Sequence, residues 1–492
     1  MTVTEQERPQ LPMGWAETRI GDICDLINGR AFKPTEWVSA GIPIIRIQNL
    51  NDPTAEFNYC DFEVEEKYLV DNGQLLFAWS GTPGTSFGAH LWNRGKAVLN
   101  QHIFKVNINE KYLDKNFLKH LFNRNVKEYI GKAHGTAGLA HITKGKFEDS
   151  KILIPPFYEQ RRIVSKVEEL FSFLDTGTES LRKVQAQLKR YRQAVLKYAF
   201  DGKLTEEWRR THKDHVESAQ NALEMARLQF SKKPKTQISF EVTSKITFLP
   251  DGWVHAKLEN FIYIAGRIGW RGLKADEYTQ DGPLFLSVYN LNKGNIVDIS
   301  ETYHISDERY SESPEIQLRN DDILLAKDGA GIGKIGIVQG LTVKATVNSS
   351  LLVIRSGCAF KPKFLFYFFK GPRMQELVKS RITGSATPHL FQRDIRKFNL
   401  LIPPLLEQEQ IIAEIESRLS VADQVENIGR TSIKQANHLH QAILKNAFEG
   451  KLVPQDSSEQ PAEKLLECIK AERLSSKKSN SVNQLELSHY VK

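Results

Sequence analysis

The segment KILIPPFYEQ at residues 151–160 returns as NLLIPPLLEQ at 399–408, displaced by 248 positions. A repeat on this scale constrains the fold before any other feature, because each copy must form one structural unit and the two must be built alike. The correspondence continues at the same displacement through RQAVLKYAFDGKL (192–204) and HQAILKNAFEGKL (440–452). It also runs backwards through LLFAWSG (75–81) against LLAKDG (324–329), with Asn100 answered by Asn348. Nearer the start the displacement slips to 241 and then 238, where LPMGW (11–15) answers LPDGW (249–253). Two units of about two hundred residues are expected, with length changes confined to the front of each.

Each copy changes character at its double proline. Before it stand short runs of β-branched and aromatic residues broken by Gly, Asn, Asp and Pro, which predict strands and turns with some helix. After it, apolar positions step through Ile163, Val167, Leu170, Leu174, Gly177, Leu181, Val184, Leu188, Tyr191, Val195 and Tyr198. A sustained 3.5-residue period predicts a long helix with a narrow apolar seam. The second copy repeats it through Ile411, Ile415, Leu419, Ala422, Val425, Ala436, Leu439 and Ile443. Two matched helices favour a mutual pair over each packing on its own globular part. The expected division is globular parts at 1–156 and 249–404, helical regions at 157–208 and 405–456, a polar linker with a short helix at 209–248, and a C-terminal tail with a short helix at 457–492.

With 40% hydrophobic and 26% charged residues in 492, the chain is expected to fold into several cores. Apolar runs such as Phe364 to Phe369 are too short to cross a bilayer, and MTVTEQERPQ at the start lacks an export segment, so a cytoplasmic, non-membrane protein is expected. Cys24, Cys60, Cys358 and Cys468 form no CxxC pair, which argues against a zinc site or a disulfide framework. A net charge of +8 suits a polyanionic partner.

The copies differ in a patterned way. In IPIIRIQNL (42–50) against PLFLSVYNL (283–291), one strand face stays apolar while Arg46 and Gln48 stand against Ser287 and Tyr289; Asn49 and Asn290 are shared, either as contacts or as turn formers. Trp79 and Ser80 face Lys327 and Asp328, each pair followed by a glycine. Gln101 and His102 face Ser349 and Ser350. GTAGLAH (135–141), with Thr136 and His141, faces GSATPH (384–389), with Ser385, Thr387 and His389. These residue types read base edges or hold phosphates, so matched loops carrying different side chains suggest two recognition surfaces. Arg46 suits a guanine edge, and Gln48 or Gln101 an adenine edge; each suits a phosphate as well. Lys189, Arg190 and Arg192 form a basic cluster on the first helix, read as a solvated face with DNA or partner contact as alternatives.

Catalytic motifs fail on inspection. ILLAKDGAGIGKIG (323–336) lacks the glycine a phosphate loop needs at 328 and has Ile335 where Ser or Thr would hold magnesium. The double prolines follow Ile154 and Ile402, which cannot hydrogen-bond the exocyclic amine that an amino-methyltransferase grips. A metal-nuclease set drawn from Asp52, Glu65 and Lys67 has no counterpart in the second copy.

The doubled LPxGW starts, the IPPFYEQRRIV and IPPLLEQEQII exits and the AFDGKLTEEW and AFEGKLVPQD helix ends together resemble the specificity subunit of type I restriction-modification enzymes, over residues 11 to about 475. The resemblance implies an α+β chain of two mixed target recognition domains, each followed by a long helix, the helices forming an antiparallel coiled-coil pair with internal pseudo-twofold symmetry. It implies a non-catalytic chain reading a split, asymmetric target in double-stranded DNA. A helix from Ile163 to Tyr198 would be roughly 54 Å long, and recognition domains beside its ends would place half-site centres about one helical turn apart. Partners would be two modification subunits holding S-adenosylmethionine and restriction subunits using ATP and magnesium, with no cofactor in this chain. Because the second helix ends in GKLVPQD rather than GKLTEEW, the two ends are expected to differ in docking. The rivals are a standalone methyltransferase or nuclease with duplicated DNA-binding domains, and a protein-binding scaffold without salt-dependent DNA affinity.

Overall fold

The computed structural model describes residues 11–81, 86–132, 140–213, 218–230, 249–267, 273–383 and 388–489. The chain forms two compact units, Met1–Leu181 with Thr431–Lys492, and Arg182–Arg430. The two long helices, Phe157–Phe200 and Leu405–Phe448, are 44 residues each. Each therefore starts in the unit of its own copy and ends in the other.

The first unit holds strands β1 (Ala16–Arg19), β2 (Cys24–Asn28), β3 (Ile42–Ile45), β4 (Asn58–Cys60), β5 (Leu69–Val70), β6 (Gln74–Ala78), β7 (Ser80–Gly81), β8 (Gly88–Trp92), β9 (Ala97–Leu99), β10 (Ile103–Ile108), β11 (Ala140–His141) and β12 (Lys151–Ile154). An antiparallel sheet runs β2-β10-β6-β8 and a second, mixed sheet runs β4-β3-β9-β5. Behind the first sheet, Phe77 stacks on Phe147 at 4.1 Å and meets Phe87, Phe122 and Tyr129 edge-on. The second unit repeats the plan with β13 (Val254–Lys257), β14 (Ile262–Gly266), β15 (Thr279–Leu286), β16 (Tyr303–His304), β17 (Ile323–Ala326), β18 (Ile335–Ile337), β19 (Ala345–Val347), β20 (Leu351–Ser356) and β21 (Asn399–Ile402). Its sheets run β14-β20-β17-β18 and β16-β15-β19. The parallel pair β3–β9 recurs as β15–β19, and the closing pair β1–β12 as β13–β21.

The repeated proline motif proves to be an anchor. Its Glu and Gln, Glu159 with Gln160 and Glu407 with Gln408, are at most 1% exposed. Gln160 Oε1 accepts from the Asp114 amide and its Nε2 donates to the Tyr112 and Pro155 carbonyls; Gln408 bonds the Lys361 amide and the Ala359 and Pro403 carbonyls in the same way. The tryptophan of each LPxGW motif donates its indole N–H to the adjacent glutamate, Trp15 to Glu159 at 3.0 Å and Trp253 to Glu407 at 2.7 Å. A buried carboxylate needs such partners, so the motif is retained as a set.

Each GKL motif ends a helix at a glycine with positive φ, Gly202 at +73° and Gly450 at +68°, a left-handed stop that satisfies the last carbonyls. A Cβ on Gly202 would meet Pro250 Cγ at 2.5 Å, and one on Gly450 would meet Pro12 at 2.7 Å. Gly202→Ala should therefore lose about 1–2 kcal/mol to backbone strain alone, with more from the contact. Gly177→Ala, in mid-helix with open space around the added methyl, should gain up to about 1 kcal/mol. Urea unfolding midpoints of the two variants should move in opposite directions.

The helices pair antiparallel, as the order of their contacts in each unit shows. In the first, Asp175 lies 3.4 Å from His440, and Ile163, Val164 and Val167 share a core with Ala447 and Phe448. In the second, Arg192 pairs with Asp423 and Glu426 at 2.6 and 2.7 Å, while Leu196, Ala199 and Phe200 pack with Ile411, Ile415 and Leu419. Arg192 is thus a pin between helices, which corrects its reading as part of a solvated basic face. The expected seam also changes. Tyr191, Tyr198, Val425 and Leu439 are 42%, 53%, 39% and 51% exposed, whereas Thr178, Leu196 and Phe200 are buried. An α-helix drifts about 20° per heptad from a 3.5-residue repeat, and the buried positions shift along the helix in that way.

Candidate nucleic-acid interface

Segments distant in sequence meet in each unit on one backbone frame. In the first, the Trp79 amide donates to the His102 carbonyl at 3.2 Å and the Ile142 amide to the Trp79 carbonyl at 3.1 Å, with Ser80 opposite His141 across β7 and β11. In the second, the Lys327 amide donates to the Ser350 carbonyl at 2.9 Å and the Leu390 amide to the Lys327 carbonyl at 2.7 Å, with Asp328 bridged to His389. Every partner is displaced by the same 248 positions. One frame holds two sets of side chains.

The first set is neutral and aromatic. Trp79 Nε1 donates to Asn28 Oδ1 at 2.9 Å. Its ring stacks on Phe104 at 5.7 Å, with His102 at 5.4 Å and His141 at 6.1 Å. Burial, then the neighbouring His141, lowers the His102 pKa, which keeps that imidazole uncharged at neutral pH. Gln101 Oε1 and His102 Nδ1 are buried and have no hydrogen-bond partner among the described residues, an arrangement that suits an incoming ligand or water. The second set carries charge. Asp328 Oδ2 lies 3.7 Å from His389 Nδ1, His389 meets Phe391 edge-on at 4.6 Å, and Lys327 stands next to them in sequence; Ser349 is exposed.

A second locus is the turn after β3 and β15. The strand expected to run through 50 ends at Ile45, and its counterpart at Leu286. Asn49 Oδ1 captures the Arg46 amide at 3.0 Å, and Asn290 Oδ1 the Ser287 amide at 2.8 Å, so a side chain takes the place of the ladder. Asn49 and Asn290 are each 3% exposed, and their Nδ2 groups donate to loop carbonyls. They form the turn and are not presented as contacts. Ser80 is buried as well and contributes backbone. Arg46 is half-buried and Gln48 exposed, its Nε2 3.4 Å from the Glu56 carbonyl. In the other unit Ser287 Oγ accepts from the Tyr289 amide, and the exposed Tyr289 donates its hydroxyl to Glu301 at 3.0 Å. Thr136, Ser385 and Thr387 lie outside the described residues.

Asn28 and Phe104 escaped the sequence reading because they meet Trp79 only through the antiparallel register of β2 and β10, where they are direct partners. Among the described residues no group of His, Cys, Asp and Glu could hold a metal, and no helix is long and apolar enough to cross a membrane.

A family profile described as the type I restriction modification DNA specificity domain matches residues 12–189 and again 250–435. The chain belongs to this family. It is 28% identical over 475 residues to the type I restriction enzyme EcoBI specificity subunit of Escherichia coli, covering 94% of this chain and 93% of that one. It is 24% identical over 454 residues to the MjaVIII specificity subunit of Methanocaldococcus jannaschii, covering 90% and 94%. A chain solved in work on complex assembly and conformational transition of the type I R-M system shares the fold, with a TM-score of 0.61 at 18% identity over 90% of this chain and all of that one.

Proposed function

We propose that this chain is the DNA sequence-recognition subunit of a type I restriction-modification complex, each unit reading one half of a bipartite, asymmetric target. The observation that carries this is the pair of matching frames, Trp79–His102–His141 and Lys327–Ser350–His389, in which the hydrogen bonds are kept and the side chains are changed. Duplicate frames give two similar ways of approaching a duplex; unlike side chains select unlike sequences. Base or phosphate contact is assigned to Arg46, Gln48, Trp79, Gln101, His102, His141, Tyr289, Lys327, Asp328, Ser349 and His389.

In this reading the chain is non-catalytic and cytoplasmic. Methylation of adenine belongs to two modification subunits that hold S-adenosylmethionine and dock on the helical regions, and ATP-driven cleavage to restriction subunits with magnesium. The test is methylome sequencing of cells with and without this chain, the modification subunit being expressed in both. Loss of methyl-adenine at one split asymmetric motif is expected. An unchanged methylome with an assembled partner would transfer support to the scaffold alternative.

A further inference from the structure

Two arginines flank the Asn49 turn, and both are held on aromatic faces. Arg46 Cζ lies 5.3 Å from the Trp37 ring centre, and its Nη1 donates to Asn58 Oδ1 at 3.2 Å. Arg94 Cζ lies 4.3 Å from the ring centre of Phe57 and 5.5 Å from that of Trp92, and its Nη1 donates to the Asn49 carbonyl at 3.0 Å. Arg94 is exposed, beside Gly95 at φ +79° in the loop that joins β8 to β9. Neither guanidinium has a carboxylate within ion-pair distance among the described residues, unlike Arg30, which pairs with Glu36 at 2.5 Å. Asp52, the acid whose charge senses Arg94, already accepts from the Thr54 hydroxyl and amide at 2.7 and 2.8 Å. The turn therefore carries two held cations with no carboxylate ion-paired to either among the described residues.

Position decides their roles. Arg46 is half-buried and tied at three points: its backbone amide, one Nη and its guanidinium face. That leaves Nε and the second Nη as a rigid pair of donors. A preorganised fork of this kind loses little entropy on binding two acceptors side by side, and guanine presents O6 and N7 in that arrangement in the major groove. Arg94, exposed in that loop, suits a phosphate, which rewards charge more than orientation. The corresponding turn of the second unit has Ser287 in place of Arg46, and its Tyr289 is bonded to Glu301, so the device belongs to one unit.

We propose that Arg46 reads a guanine in the half-site of the first unit and that Arg94 holds a neighbouring phosphate, with Trp37 and Asn58 as positioning residues for Arg46. This rests on the reading of the unit as a DNA half-site reader.

The experiment uses the complete chain assembled with its modification subunits and duplexes carrying the motif found by methylome sequencing, each position substituted in turn. Arg46→Ala should lose discrimination, by roughly 5- to 150-fold, at a single guanine in one half-site. Arg46→Lys should lose it too while keeping the salt dependence, since it retains the charge without the fork. Arg94→Ala should weaken binding to all duplexes alike and reduce the slope of log affinity against log salt by about 1. Trp37→Ala should reproduce part of the Arg46→Ala pattern and Trp37→Phe should restore it; simple unfolding of the loop would not be rescued in this position-specific way. The assignment is overturned if Arg46→Ala leaves discrimination intact everywhere, or weakens binding uniformly as Arg94→Ala does. A wild-type complex with no preference among the duplexes would instead sink the half-site reading itself.

Discussion

Glu407→Gln is expected to destabilise the second unit by about 3–5 kcal/mol, while Glu159→Gln, the same change at the matching position, should be neutral or stabilising at pH 7. Both glutamates are buried and both accept a tryptophan N–H. Only Glu407 also holds an arginine. Arg209 Nε and Nη2 donate to its Oε1 at 3.0 and 2.8 Å, and Thr205 adds a third bond at 2.7 Å. Removing that carboxylate charge leaves a guanidinium, itself largely buried, without its counter-ion.

The first unit has Ser457 where the displacement of 248 would place the arginine, and the nearby Arg162 pairs with Glu459. Burial accordingly raises the Glu159 pKa above its ordinary value of 4.5, with the Trp15 bond and Arg162 offsetting part of the effect. A carboxyl whose pKa is raised on folding contributes stability that is fully present below the unfolded value and is lost as pH rises through the folded one. The wild-type first unit should gain stability on acidification through the window just above 4.5, and Glu159→Gln should abolish that gain. Thermal unfolding of both variants at several pH values checks this. Equal losses at the two positions would contradict the asymmetry.

That asymmetry was visible in the sequence only as GKLTEEWR against GKLVPQDS, a difference at the helix ends that suggested unequal docking and not unequal burial of a charge. The repeat itself was legible because the anchoring groups (LPxGW, PPxxEQ, GKL) are local motifs doing one job twice. What was not legible came from competition between local and distant partners. The alternation of IPIIRIQNL reads as a strand until Asn49 captures an amide three residues back. The 3.5-residue seam marks the paired helices, but several of its positions stand exposed because the buried face advances by the 3.6-residue period of the α-helix. Comparing the copies singled out segments that the structure brings together on one backbone frame, since residues that differ on a shared frame stand out. Asn28 and Phe104 were missed because sheet register brings them to Trp79, and Arg94 because it reaches the Asn49 turn from the loop between β8 and β9; no spacing within either copy records either placement.

Substitutions in the two frames should differ in their effect on salt dependence. In the first unit, Trp79 is the platform on which the imidazoles of His102 and His141 rest, and its own N–H is engaged by Asn28. Trp79→Ala should cost the assembled complex about 1–3 kcal/mol of affinity for its target, roughly 5- to 150-fold. The salt slope should stay unchanged, since no charge is removed. The loss should exceed that of either His102→Ala or His141→Ala, and the single losses should not add, because the three rings act as one cluster. In the second unit, Lys327→Ala removes a cation from the same backbone position, so affinity should fall together with the slope, by about 1 in log–log units. Measured affinities between low and moderate salt separate the two. A Trp79→Ala variant whose slope falls, or a Lys327→Ala variant whose slope does not, would show that equivalence of frame does not extend to equivalence of approach to DNA.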